Sequence, residues 1–302
     1  MSWLPTPVPV HDPALATRWG RLTILLLLTL GLNACSLVGL AVEQSPWLIK
    51  RWVNQQVTLT PEQADALHDQ LQQQREAFKR DALPVAIATL HRAAELARRD
   101  GSAQEVCELL DPLRDQAGVV LINSAPAWAQ LATQLSAQQL GEWRDARREA
   151  QTQFAQDFVQ ASPDQVLNLR TQRALAHWER FYGDLDDAQV QRLTRHLQAS
   201  PWSAPEAQRR QERRDASLLA LLDRLRAGEL QPDEAEAHMR RWLRQQWTPT
   251  EATARAEQRR WWAHGCAMVA DMHTHMHASQ REHLASTLSR YAKHLAELVP
   301  MR

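Results

Sequence analysis

The chain has 302 residues, with 35 Lys and Arg against 35 Asp and Glu, so its formal charge is zero. A balanced charge supplies no global basic field and argues against nucleic acid as a partner. Glycine is scarce, at 9 residues, and Ala, Leu, Gln, Arg and Glu dominate. These are helix formers, and the alternating β-branched and aromatic runs of strands are absent, so the chain reads as all-α.

The N-terminus reads as a bacterial lipoprotein signal. Arg18 and Arg21 form a positive n-region, and Leu22–Leu30 is an apolar run too short to span a bilayer. Leu32-Asn33-Ala34-Cys35 then has the order of a lipoprotein cleavage site. Residues 1–34 are expected to be removed, and Cys35 is expected to take diacylglycerol and a further acyl chain. Several chains anchor durably where one would not, at about 0.8 kcal/mol per buried methylene. Residues 35–302 should then form a periplasmic domain whose partner through the anchor is the membrane. Ser36, rather than Asp, follows the cysteine, which implies sorting to the outer membrane.

Behind Cys35 the segment Leu37–Val42 leads directly to Pro46-Trp47-Leu48-Ile49 and Trp52-Val53. It can seal a bundle or rest on a membrane surface. Helix starts follow as Ser, Thr or Asp with Gln or Glu three residues on: Thr60/Gln63, Ser102/Glu105, Ser136/Gln139, Ser162/Gln165, Asp186/Gln189, Ser203/Glu206 and Thr248/Glu251. Each is a candidate capping box, in which the first side chain accepts from the N3 amide and the Gln or Glu reaches back to the N-cap amide. Their spacing is irregular, which argues against a fixed-period solenoid. Leu67, Leu71 and Phe78 share a face, the face resumes beyond Pro84, and Leu167, Ala174, Trp178 and Phe181 share another before Gly183. Ser200–Ala204 is the most loop-like stretch. The expected architecture is an elongated multi-helix bundle of about seven to nine amphipathic helices.

Cys107 and Cys266 remain once Cys35 is assigned to lipid. An oxidising periplasm permits a bridge, which would close a long loop worth about 4–5 kcal/mol in the chain-entropy model. Two separately buried thiols are the alternative. Near the C-terminus, Met268, Met272, His273, His275, Met276 and His277 form the one chemically suggestive cluster. Thioethers favour Cu(I) and imidazoles suit Zn, Cu or Ni, so Met272, Met276, His273, His275 and His277 are candidate metal ligands. The same methionine spacing also serves a helix that packs a core face. No His-Glu-x-x-His, Gly-x-Ser-x-Gly, Gly-rich phosphate loop or Cys-x-x-Cys occurs, and no cofactor or enzymatic activity is implied. Trp261-Trp262 beside Arg259-Arg260 is a candidate partner surface.

Taken together, Cys35-Ser36-Leu37, Pro46-Trp47-Leu48, Leu59-Thr60-Pro61-Glu62-Gln63 and the Leu83-Pro84 break resemble a family of proteobacterial lipoproteins known as domain of unknown function 6279. Arg173–Arg180 followed by Gly183-Asp184-Leu185 and Gln189 extends the resemblance. Phe78-Lys79 departs from a Trp-His pair frequent in that family, and Asp186 from a Thr. The resemblance implies an all-helical envelope lipoprotein and no activity. The Leu59–Gln63 box is also similar to the signature of periplasmic stress chaperones of the Spy and CpxP type, where it caps helices in a cradle that binds unfolded clients. Capping chemistry alone produces the same residues, so both readings stand. The expected function is a non-enzymatic envelope lipoprotein that binds another envelope protein. The alternatives are a Spy-like chaperone or stress sensor, and a metal-binding lipoprotein.

Overall fold

Helix-forming composition and strong local stop and start signals produce an all-α molecule. The computed structural model describes residues 36–300, so Cys35 and the expected signal segment lie outside the described residues. Thirteen α-helices follow: α1 (Ser36–Glu43), α2 (Ser45–Asn54), α3 (Pro61–Ala77), α4 (Leu83–Leu96), α5 (Ala103–Asn123), α6 (Ala125–Gln134), α7 (Ala137–Phe154), α8 (Pro163–Tyr182), α9 (Asp187–Ala199), α10 (Ala204–Arg226), α11 (Pro232–Trp247), α12 (Ala252–Thr274) and α13 (Ala278–Ala296). No strand occurs among the described residues. The count exceeds the expected seven to nine, in part because single residues, Gln44 and Ser124, separate neighbouring helices.

Leu83-Pro84 does not break the chain. Pro84 cannot donate to residue 80, and its ring would crowd that carbonyl. The preceding turn widens into a π-helix at Phe78–Ala82, with the Leu83 amide donating to the Phe78 carbonyl. A π turn takes up the mismatch without ending the rod, so α3 and α4 form one long element. Gly183 does end α8. It sits at φ 76°, where only glycine rests without strain, and its amide closes on the Glu179 carbonyl.

The core divides into two regions. At one end α2, α3 and α6 enclose Val53, Leu67, Leu71, Ala127 and Leu131, continuing into a cluster of α6, α7, α10 and α11 around Leu140, Leu222 and Met239. At the other, α8, α9 and α12 enclose Tyr182, Leu193, Met272 and Met276, next to Val106, Cys266 and Ala270. Helix α5 runs between the two regions, with Val106 in one cluster and Leu121 against the other. Helix α13 packs along α4, and α11 packs along α6 and α5. Gly118 on α5 admits a close approach: a Cβ there would clash with the Trp247 indole of α11.

The N-terminal pair of helices splits by face. Pro46 and Val53 are buried, whereas Leu40, Trp47, Leu48 and Trp52 stay exposed. The tryptophans there do not seal the bundle.

Cys107 on α5 and Cys266 on α12 are joined by a disulfide, with their Cα atoms 5.4 Å apart and a sequence separation of 159. Because the bridge constrains so long a segment of the unfolded chain, Cys107→Ala with Cys266→Ala is expected to cost about 4–5 kcal/mol. Urea denaturation of the oxidised protein beside that variant measures it. Equal midpoints would show that the bridge adds nothing to stability.

Candidate functional site: paired glutamine boxes and the clefts they frame

Five of the seven expected boxes form. Thr60, Ser102, Ser136, Ser162 and Asp186 each accept from the N3 amide, and each N3 side chain returns to the N-cap amide. Ser203 makes no side-chain cap. The Thr248/Glu251 box is not used, because α12 begins only at Ala252 with Glu251 as its N-cap. Its predecessor Trp247 already ends α11, and the chain between them is loop.

Four of the N3 glutamines do more than cap. Gln63, Gln139, Gln189 and Gln280 are buried, with 3–8% of their surface exposed. They meet in two reciprocal pairs. The Gln63 Nε2 donates to the Gln139 Oε1 at 3.2 Å, and the Gln139 Nε2 donates to the Gln63 Oε1 at 2.7 Å. The second pair repeats this at 2.8 and 3.0 Å between Gln189 and Gln280.

Each amide has a second set of partners placed by the same rule. Its Oε1 accepts from the amide of its own N-cap residue: Thr60, Ser136, Asp186 or His277. Its Nε2 donates to the carbonyl two residues before the partner's N-cap: Gln134, Thr58, His275 or Asp184. A primary amide offers two acceptor and two donor positions, and all are used. The two pairs are therefore pseudo-twofold knots, each tying two helix starts and the chain leading into them.

The apolar residues around each knot fall in matching register. Leu67 and Leu71 follow Gln63 at the distances at which Leu193 and Leu197 follow Gln189. Leu131 and Leu135 precede Gln139 as Met272 and Met276 precede Gln280. Trp52 and Trp178 stand at one further matching position. The chain thus carries one helix-pair design twice, with an apolar residue directly before each N-cap (Leu59, Leu135, Leu185, Met276) and Gln at N3. The signal for the missed fourth box was that apolar residue plus the Gln; His277 hid it because histidine is not a capping residue by type.

The candidate ligands near the C-terminus take structural parts in the second knot. Met272 is fully buried and Met276 is 5% exposed, both in the positions that leucines hold in the first copy. His273 is buried, with Nε2 3.0 Å from the Arg99 carbonyl and Nδ1 3.0 Å from the Tyr182 hydroxyl. A carbonyl can only accept, so Nε2 carries the proton and Nδ1 accepts from Tyr182. His275 Nδ1 faces the Asp271 carbonyl at 2.7 Å, and His277 Nε2 faces Asp186 at 3.0 Å. The three rings are directed at separate partners. Among the described residues no group of three His, Cys, Asp or Glu side chains is arranged to hold a metal.

A cleft opens beside each knot. The first, about 290 Å³, is lined by Trp52, Trp128, Leu131 and Trp143 from the first half and by Leu218 and Trp242 from α10 and α11. The second, about 400 Å³, is lined by Trp178, Phe181 and Met268 from the second half and by Leu96, Leu109 and Leu110 from α4 and α5. Each cleft is floored by one half of the chain and walled by the other. Charge ties neighbouring helices outside the cleft linings: Arg147 and Gln151 of α7 hold the buried Asp215 of α10 at 3.1 and 3.0 Å, and Arg192 and His196 of α9 hold Asp271 of α12 at 3.0 and 2.7 Å. Burial would raise the Asp271 carboxyl, but its bonds to His196 and Arg192 outweigh that and hold it below the ordinary carboxylate range. Trp262, of the candidate Trp-Trp surface, instead donates to Asp111 at 3.0 Å under the Arg114 guanidinium, while Trp261 is exposed.

Burial also lowers the basicity of His273 from the usual 6.5, and the Arg281 charge adds to this. The folded ring therefore stays neutral at a pH where the unfolded ring takes a proton. Stability is lost as pH falls below about 6.5, until the folded pKa is reached. His273→Gln keeps an Nε-type donor without the titration. Its melting temperature should fall less between pH 7 and pH 5 than that of the wild type. Parallel slopes would show that His273 does not couple folding to pH.

No family model, curated protein or solved structure matches the chain.

Proposed function

We propose that the chain is a non-enzymatic envelope lipoprotein, tethered through Cys35 to the outer membrane, that binds apolar segments of other envelope proteins in its two clefts. The observation that carries this reading is the pair of matched clefts. Both are almost wholly apolar and leucine-lined, the first with four tryptophans and each with one methionine, and both open to solvent rather than closing as core. Trp is the residue most enriched where partners bind, and Met adapts its shape to varied sequences. The first cleft has no titratable residue in its lining, and the second has His177, Tyr182 and His273. His273 and Tyr182 border the second cleft, but they satisfy each other.

A chaperone-type reading gains from the box itself. The similarity to the Spy and CpxP signature rested on one box, and the same arrangement of apolar residue, cap and Gln occurs four times in the two knots. Sequence-tolerant apolar clefts suit unfolded segments better than a single folded partner.

Two measurements test the two halves of the proposal. A fatty-acid analogue fed to cells should label the wild type and not Cys35→Ala, and label persisting in that variant would remove the anchor. For the clefts, Trp143→Ser and Leu109→Ser alter partly exposed linings of the first and second cleft. Together they should weaken binding of a reduced, unfolded reporter protein about fivefold or more, as loss of central aromatic and aliphatic contacts does. Unchanged suppression of reporter aggregation by the folded double variant would contradict cleft binding.

A further inference from the structure

The N-terminal helices carry an apolar stripe that no other part of the described chain covers. Leu40, Gln44, Trp47, Leu48 and Arg51 recur at helical spacing on one side of α1 and α2. Leu40, Trp47 and Leu48 are 52%, 46% and 45% exposed. The opposite side is fully committed, with Pro46 and Val53 buried and α2 packed on α3. The stripe is therefore the free face of a helix pair whose other face is already used.

We propose that this stripe lies in the headgroup–acyl boundary of the membrane, so that the domain is seated on the bilayer as well as tethered to it. The proposal rests on the anchoring reading, because Cys35 immediately precedes α1. A helix rises 1.5 Å per residue, so Leu40 stands only about 6 Å along the axis from Ser36. Acyl chains at Cys35 would hold the start of α1 at headgroup depth and bring the stripe with it. The chemistry fits a lipid surface. Tryptophan and leucine enter the boundary while cationic side chains remain among the headgroups. Arg51 lies 5.5 Å over the Trp47 ring, which places a cation beside the apolar patch. Helix α2 contains no acidic residue, and its Lys50 and Arg51 make it basic. Glu43, the one carboxylate of α1, is paired with Lys79 at 2.6 Å and Arg75 at 3.5 Å.

The test uses residues 35–302 carrying Cys35→Ser, which cannot be acylated, mixed with vesicles of phosphatidylethanolamine and phosphatidylglycerol in a flotation assay. The protein should float with the vesicles. The triple variant Leu40→Ser, Trp47→Ser, Leu48→Ser should lose at least tenfold in partitioning at unchanged melting temperature. Trp261→Ser, which removes an equally exposed tryptophan elsewhere, should float as the parent does. As a second readout on folded protein, brominated lipid should quench the parent more than Trp47→Phe. Failure of the parent to float, an equal loss in Trp261→Ser, or quenching that ignores Trp47 would each overturn the proposal. A dimer that the triple variant disrupts, without flotation of the parent, would assign the stripe to a second copy and also overturn it. Acyl labelling of Cys35 is read separately, so loss of the anchor and loss of the seat give different results.

Discussion

The rest of the fold depends on the burial of primary amides between helix starts. A helix N-terminus leaves backbone donors without partners, and a buried one must satisfy them with side chains. Here each N3 glutamine satisfies its own N-cap amide and, across the knot, a carbonyl leading into the opposite helix. Glutamate could accept but not donate, and leucine could do neither. Either would leave buried groups unpaired, at about 1–3 kcal/mol each. The pairing fixes the angle between two helices whose starts are distant in sequence, and the apolar residue before each N-cap is carried into the core with it. Leu135 and Met276 reach their clusters in this way.

From that constraint come both clefts. Two knots at opposite ends hold two helix pairs apart, and each pair presents tryptophan, leucine or methionine on its inner side. The walls come from the other half of the chain, so neither half completes a cleft alone. The disulfide between α5 and α12 and the close approach of Trp247 to Gly118 bind the crossing elements together. The proposed binding of apolar segments rests on the shape and chemistry of these clefts, which are open and lined mainly by apolar side chains.

What the sequence disclosed was what is local. A cap and its Gln lie three residues apart, so Thr60, Ser136 and Asp186 were legible as helix starts, and Met272 and Met276 as a core face. Pairing was not legible, because the glutamines that meet are 76 and 91 residues apart, and a capping box has the same sequence whether or not its Gln is paired. Gln165 shows this: its box forms as the others do, yet the side chain stays exposed. Ser203 and Thr248 fit the pattern by residue type, but the helices following them are positioned by other contacts. Leu83-Pro84 read as a break because periodicity does not register a π turn. Whether Cys107 and Cys266 meet was likewise a tertiary question.

The central claim is that the glutamines act as pairs, and a double-mutant cycle on Gln63 and Gln139 tests it most directly. Urea denaturation of Gln63→Ala, Gln139→Ala and the double variant gives the coupling. If the knot is one unit, either single change strands its partner's amide, and the double variant should cost about 1–2 kcal/mol less than the sum of the singles. Additive costs would mean that each glutamine only caps its own helix, and the account of the fold as two tied knots would be wrong.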